Sequence, residues 1–232
     1  MKVGIVIITY NLPSEVMILQ IEAIRKFCKD DFEINIVDNS SEREAAEALK
    51  YHAGLLGVNY RKTYASSKNG SQSHAFSANL SYQIYKDSYP ILFYLDHDCI
   101  PVSVFSCEEI LGDKLIAGLG QGSEKPYIWP GMFFFRNDKI DKSLIDFSPC
   151  SGKDTGGNLW KLVEKYGQDQ CVFFNETYHQ NPYYNGLMYS SYSMINNQMF
   201  IHYTNSSNWN PVSDNAERIN SLINITKELI ND

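Results

Sequence analysis

Ile91-Leu92-Phe93-Tyr94-Leu95-Asp96-His97-Asp98 is the stretch on which the fold of this chain turns. Five apolar or aromatic residues run without a break, and two carboxylates follow one residue apart. A continuous apolar run of this length is what a strand buried on both faces of a mainly parallel sheet requires. Pro90 and Pro101 bound it, since neither supplies a ladder donor. Open α/β sheets bind ligands in the crevice beyond the carboxyl ends of their strands, and Asp96 and Asp98 stand at such an end. A bend after Leu95 lets both carboxylates reach one ion. Two hard oxygen ligands suit Mg²⁺ or Mn²⁺, which in turn clamps a diphosphate. Asp-x-Asp pairs arise often by chance, so a solvated loop is the competing reading. The position after a buried strand is what raises the metal.

Working outward, Val3–Thr9 is a second continuous apolar strand, ending in the polar turn Tyr10-Asn11-Leu12-Pro13. A helix with one apolar stripe runs from there to about Cys28. Phe32–Val37 reads as a strand ending in Asp38-Asn39-Ser40-Ser41, followed by a helix from Glu42 to about Tyr51 and a short strand near Leu56–Tyr60. Residues 65–73 read as an exposed Ser/Asn/Gly loop, and Ser73–Tyr85 as a helix. Alternating strands and helices with short connections imply parallel βαβ units. Their crossovers are right-handed, so the ends carrying Thr9, Asp38 and Asp96 open onto one edge. Asp38-Asn39-Ser40 also suits a plain turn and helix cap. His74 and Asn79 face that edge from the helix, whose free N–H groups bind anions, with capping an equal alternative for His74.

The 232 residues suffice for one large α/β domain with a sizeable core. A net charge of −7 argues against a nucleic acid partner. The 16 tyrosines suit a site for polar ring-shaped ligands as well as core and rim positions. Five cysteines (Cys28, Cys99, Cys107, Cys150, Cys171) show no C-x-x-C spacing and read as reduced thiols. With no secretory signal at the start and no long apolar span, the expectation is a cytoplasmic protein.

Val3–Asn11, Ile36-Val37-Asp38-Asn39-Ser40, the helix carrying Asn79, and Leu95-Asp96-His97-Asp98 recur in that order in family 2-type glycosyltransferases. The chain resembles that group over roughly its first 105 residues. The resemblance implies a GT-A-type, Rossmann-like mixed sheet, mainly parallel and flanked by helices. It implies a single domain with a nucleotide-sugar half (1–105), an acceptor and catalytic half (106–210) and a C-terminal helix (211–232). It also implies that Thr9, Tyr10 and Asn11 line the nucleotide pocket, and that Asp38, with Asn39 and Ser40, meets the base or ribose. Asp96 contacts ribose or metal, and Asp98 is the principal metal ligand. One departure is Asn69-Gly70-Ser71-Gln72-Ser73, which matches the Asn-x-Gly of many relatives only loosely.

In the second half, Leu115–Gln121 and Trp129–Arg136 read as strands. Trp129 is an acceptor-stacking platform or an ordinary buried aromatic, and by the resemblance Gly131 is a small residue that admits a sugar. Asp154-Thr155 leads into a short helix, Leu159–Tyr166, closed by Gly167. Asp154 is either that helix's cap or the carboxylate that takes the acceptor's proton. Phe200–Thr204 reads as a strand. By the resemblance its His202 joins the metal, with Ser207 and Trp209 close behind, although a lone His in an apolar strand is also an ordinary core residue. His179, in a Tyr- and Asn-rich loop, is a weaker candidate. After Pro211, Ala216, Ile219, Leu222, Ile223 and Ile230 fall at helical spacing, to pack on the body or to touch a membrane or partner.

The expected function is Mn²⁺- or Mg²⁺-dependent transfer of a sugar from a nucleotide-diphosphate donor, a UDP-sugar by resemblance, to a glycan or other hydroxyl acceptor. The alternatives are a nucleotidyltransferase, which lacks support from any Gly-rich basic loop near the first strand, and a non-catalytic nucleotide or carbohydrate binder.

Overall fold

The apolar run at 91–95 lies in the middle of a seven-stranded sheet. In the computed structural model, residues 1–64, 70–122, 126–183, 191–203 and 215–231 are described. In chain order the elements are β1 (Lys2–Thr9), α1 (Ser14–Phe27), β2 (Asp31–Asp38), α2 (Arg43–Leu55), β3 (Asn59–Lys62) and α3 (Gly70–Tyr85). Next come β4 (Ile91–Asp96), β5 (Cys99–Pro101), α4 (Cys107–Leu111), β6 (Ile116–Gln121), β7 (Tyr127–Arg136) and α5 (Trp160–Tyr166). The chain continues through β8 (Cys171–Phe174), β9 (Glu176–Gln180), β10 (Ser191–Ile195), β11 (Phe200–His202) and α6 (Asn215–Asn231).

The large sheet runs β3-β2-β1-β4-β7-β6-β8. β3, β2, β1 and β4 are parallel, and β7 is antiparallel to both β4 and β6. This is the expected mixed, mainly parallel architecture. Alternate side chains of a strand point to opposite faces, and here both faces are covered. Ile91, Phe93 and Leu95 enter one core with α1, α4 and α6, whereas Leu92 and Tyr94 enter a second with residues of α3 and α5. Val3, Ile5 and Ile7 of β1 divide from Val6 and Ile8 in the same way. That two-sided burial is why these strands carry no polar alternation.

A second sheet, β5-β11-β10-β9, is antiparallel throughout. β5 follows β4 after the two residues His97 and Asp98, so the two sheets meet at the acidic turn. Most of this sheet was not expected from the sequence, and His179 lies in β9 instead of a loop. Its stretch, Glu176-Thr177-Tyr178-His179-Gln180, carries no apolar alternation because its residues are half-buried or exposed. Boundaries also moved. α2 continues to Leu55, closed by Leu56 N donating to His52 O (2.9 Å), so β3 begins later, at Asn59. α6 starts at Asn215 and buries Ile219, Leu222 and Ile223 on the body, while Ala216 stays exposed. Tyr203 anchors it by donating to Leu222 O (3.2 Å). The apolar stripe of α6 is therefore spent on packing. Among the described residues, no helix is long and apolar enough to cross a membrane.

Candidate active site

The acidic turn is held from three sides before any ligand is considered. Gln20, buried in α1, donates through Nε2 to Asp96 O (2.8 Å) and Cys99 O (2.7 Å), spanning the turn. His97 Nδ1 lies 3.1 Å from Ile8 O of β1, and Tyr203 N donates to Asp98 O (2.9 Å). A buried carbonyl left without a donor costs about 1–3 kcal/mol. These contacts therefore fix the backbone from which Asp96 and Asp98 project. Sequence reading missed Gln20. Its signal was a polar residue four after Val16 and four before Ile24, inside the apolar stripe of the helix.

Asp98 faces His202 of β11, with His202 Nε2 at 4.0 Å from Asp98 Oδ2. Asp98, Cys99 and His202 bring ligand-type atoms within 4.8 Å of one another. The thiol is a poor member of this set. Burial first, then Asp98, Asp96 and Glu176, push the Cys99 thiol well up, and the thiolate is the ligating form. Asp98 and His202 remain, an oxygen and a nitrogen within the span that one ion about 2.1 Å from each can bridge. The donor set thus fits Mn²⁺ or Mg²⁺. Behind His202, Glu176 Oε1 lies 3.6 Å from Nδ1. Burial lowers the His202 pKa, but Glu176 and Asp98 outweigh it and the net shift is upward.

Asp96 lies outside that trio. Its Oδ1 pairs with His74 Nε2 at 3.0 Å, and both side chains are mostly buried. Burial pushes Asp96 up and His74 down. Their mutual attraction wins in both cases, holding the carboxyl low and the imidazole high. α3 begins at Gly70, so His74 is one turn inside the helix and caps nothing. Gly131 of β7 lies against the same carboxylate. A Cβ there would stand 2.6 Å from Asp96 Oδ2 and 2.2 Å from the Trp129 ring, so only glycine allows this approach. Trp129 is half-buried, with its ring centroid 4.9 Å from that of His202.

Asp154 is exposed. It accepts from Thr155 N (2.7 Å) and from the Ser71 hydroxyl, while Thr155 Oγ1 donates to Ser71 O (3.0 Å). It caps no helix. The residue before α5 is Leu159, and the 3₁₀ turn Gly157–Leu159 is preceded by Gly156 in a left-handed conformation (φ 81°). Asp154 instead sits across from the start of α3, close enough that its charge raises the His74 pKa. Asn79 supports the loop leading to it. Its Oδ1 accepts from Phe147 N (3.0 Å), and Phe147 O accepts from Gly156 N (2.7 Å). Asn79 is thus bound to protein, its Nδ2 donating to Asp146 Oδ1 (3.4 Å) and Ser148 Oγ (3.3 Å).

At the ends of β1 and β2 the expected residues do converge, with Thr9 opposite Asp38 and Ile8 opposite Asp96. Asp38, however, is fully buried. Its Oδ1 accepts from Ser40 N (2.8 Å) and Thr9 Oγ1 (3.3 Å), and its Oδ2 from Tyr60 OH (2.6 Å). In this conformation Asp38 frames the crevice and presents no oxygen to it. Asn39 is likewise internal, donating to Ser73 Oγ (2.6 Å) and so tying β2 to α3. Tyr10 and Asn11 form the rim. Asn11 Oδ1 accepts from Ser41 N (3.0 Å) and Glu42 N (3.1 Å), and its own N–H donates to Ser40 Oγ (2.8 Å). His179 stacks on Tyr192 with centroids 5.3 Å apart. Ser207 and Trp209 lie outside the described residues.

No protein-family model matches the sequence, and no curated protein matches it. Among solved structures, the mannosyltransferase PcManGT from Pyrobaculum calidifontis, in complex with GDP-Man and Mn²⁺, matches with a TM-score of 0.51. The identity is 13%, over 74% of this chain and 54% of that one. This chain shares that enzyme's fold. The glycosyltransferase GlyE of Streptococcus pneumoniae (TM-score 0.42, 14% identity, 73% of this chain and 44% of that one) is a more distant likeness. So is an active-site mutant of LgtC (TM-score 0.41, 14% identity, 59% of this chain and 58% of that one). The chain spans about half the length of these neighbours.

Proposed function

We propose that this chain is a metal-dependent glycosyltransferase that moves a sugar from a nucleotide-diphosphate donor, a UDP-sugar in the first instance, to a glycan hydroxyl with inversion. The observation that carries the reading is the junction of the two sheets. There Asp98 and His202 face each other at 4.0 Å beside the ends of β1 and β4. Asp98 and His202 would hold Mn²⁺ or Mg²⁺, which when bound offsets charge on the leaving diphosphate. The nucleotide enters over Tyr10 and Asn11, with residues 1–105 as the donor half and 106–210 as the acceptor half. Asp96, fixed by His74, meets the donor's ribose. Trp129, lying over Gly131, is the face on which an acceptor ring stacks.

Asp154 takes the proton of the attacking hydroxyl. Its exposure and its position opposite the start of α3 support that role, and the donors from Ser71 and Thr155 keep the carboxylate oriented. Assaying a panel of nucleotide sugars with Mn²⁺, with simple glycans as acceptors, tests the reading. Transfer is expected from at least one donor, and Asp154→Asn is expected to slow it by about 10²–10⁴-fold with donor affinity unchanged. Near-parental turnover of that variant would move the base elsewhere. Formation of a nucleotide sugar from a nucleoside triphosphate, with no sugar transfer, would point instead to nucleotidyl transfer.

A further inference from the structure

We infer that Glu176 is a positioning residue that holds His202 with its proton on Nδ1, leaving Nε2 bare and aimed at Asp98. The inference rests on the metal reading of Asp98 and His202 given above. It follows from counting protons along a polar chain that crosses the small sheet. Ser193 is paired with His202 on one side and with Tyr178 on the other. Its hydroxyl donates to Glu176 Oε1 at 2.6 Å and lies 3.3 Å from His202 Nδ1. A serine hydroxyl has one proton to give. With that proton committed to Glu176, Ser193 meets the imidazole only as an acceptor. Glu176 Oε1, 3.6 Å from Nδ1, is an acceptor too. Both neighbours of Nδ1 therefore require it to carry the proton.

The other carboxylate oxygen is occupied as well, since Tyr178 OH donates to Glu176 Oε2 at 3.0 Å. Glu176 is thus fixed from two sides, and it fixes the ring. At the far edge, a bare Nε2 lone pair looks across 4.0 Å at the Asp98 carboxylate. Two electron-rich groups in that arrangement are satisfied by a cation between them. A carboxylate behind the distal nitrogen of a metal-binding histidine orients the ring and raises its basicity, and its loss costs about 10–100-fold in metal affinity.

The test uses the full chain labelled with ¹⁵N-histidine. In the metal-free protein, at a pH high enough for the imidazole to be neutral, the ring shifts of His202, assigned through His202→Gln, are expected to report the Nδ1-protonated form. In Glu176→Ala that form is expected to give way to the Nε2-protonated one. Mn²⁺ affinity, read by electron paramagnetic resonance, is expected to fall about 10–100-fold. Glu176→Gln keeps an acceptor and is expected to lose less. Parental ring shifts and parental Mn²⁺ affinity in a folded Glu176→Ala would overturn the inference. Should that variant fail to fold, Glu176→Gln and Ser193→Ala report the same two quantities, and parental values in both would overturn it. A parent chain that bound no Mn²⁺ would overturn the metal reading itself. The ring shifts would then still decide whether Glu176 sets the tautomer.

Discussion

The two sheets that meet at the acidic turn are built on different physics. In the large sheet, Ile91 to Leu95 of β4 are at most 1% exposed, and packing on both faces fixes where Asp96 and Asp98 emerge. In the small sheet, Met194, Ile195, Phe200 and Ile201 are buried, but His202 is aimed by hydrogen bonds through Ser193, Glu176 and Tyr178. One half of the site is therefore positioned by apolar burial and the other by a polar chain. The difference teaches where damage lands: truncation in β4 strikes stability, whereas truncation in β9 strikes ligand geometry.

That contrast is broken most directly by paired truncations. Phe93 touches Phe105, Phe134 and Phe200 in edge-on or near edge-on contacts. Phe93→Ala is expected to cost about 3–5 kcal/mol in denaturant unfolding. Tyr178 is 64% exposed, so Tyr178→Ala is expected to cost less than about 1 kcal/mol. Equal losses would mean that the two sheets are not held differently.

A smaller effect sharpens the boundary between them. Gln20→Leu removes one amide that serves two carbonyls of the turn, and is expected to destabilise the fold by about 1–3 kcal/mol. It is also expected to weaken Mn²⁺ binding, since Asp98 lies between the two anchored residues. Loss of stability with metal affinity intact would make Gln20 a core residue and nothing more.

The smallest effect is in pH dependence. The Asp96 carboxyl is held below its ordinary 3.8, so its share of the stability is present above that value and is lost as pH falls through the lowered one. His74 is raised above 6.5, so its share is full below 6.5 and is lost as pH rises through the raised value. The melting-temperature gap between the parent and His74→Gln is expected to be widest between those two ordinary values and to narrow at alkaline pH. A gap that keeps widening at alkaline pH would exclude the ion pair.

These same differences decided what was legible in the sequence. Strands buried on both faces announce themselves as unbroken apolar runs, and Val3–Thr9, Phe32–Val37 and Ile91–Leu95 gave the topology and the edge where their ends meet. β9 is half-solvated, so no apolar period marked it, and Glu176 went unseen although His202 was named. Asp38 was legible as a strand-end carboxylate, but sequence does not show that Tyr60 and Ser40 fold back to occupy it. Asp154 read as either a helix cap or the acceptor's base, because Asp is common in both places. Only the fold shows the 3₁₀ turn that separates it from α5.

The claim that Asp98 and His202 form one metal-dependent nucleotide site is tested most directly by calorimetry. UDP and GDP would be titrated into the parent and into Asp98→Asn, each with and without Mn²⁺. The parent is expected to bind one of them tightly only when Mn²⁺ is present. Asp98→Asn is expected to lose that Mn²⁺-dependent increment while melting as the parent does. Nucleotide binding indifferent to Mn²⁺, or Asp98→Asn binding as tightly as the parent with Mn²⁺, would contradict it.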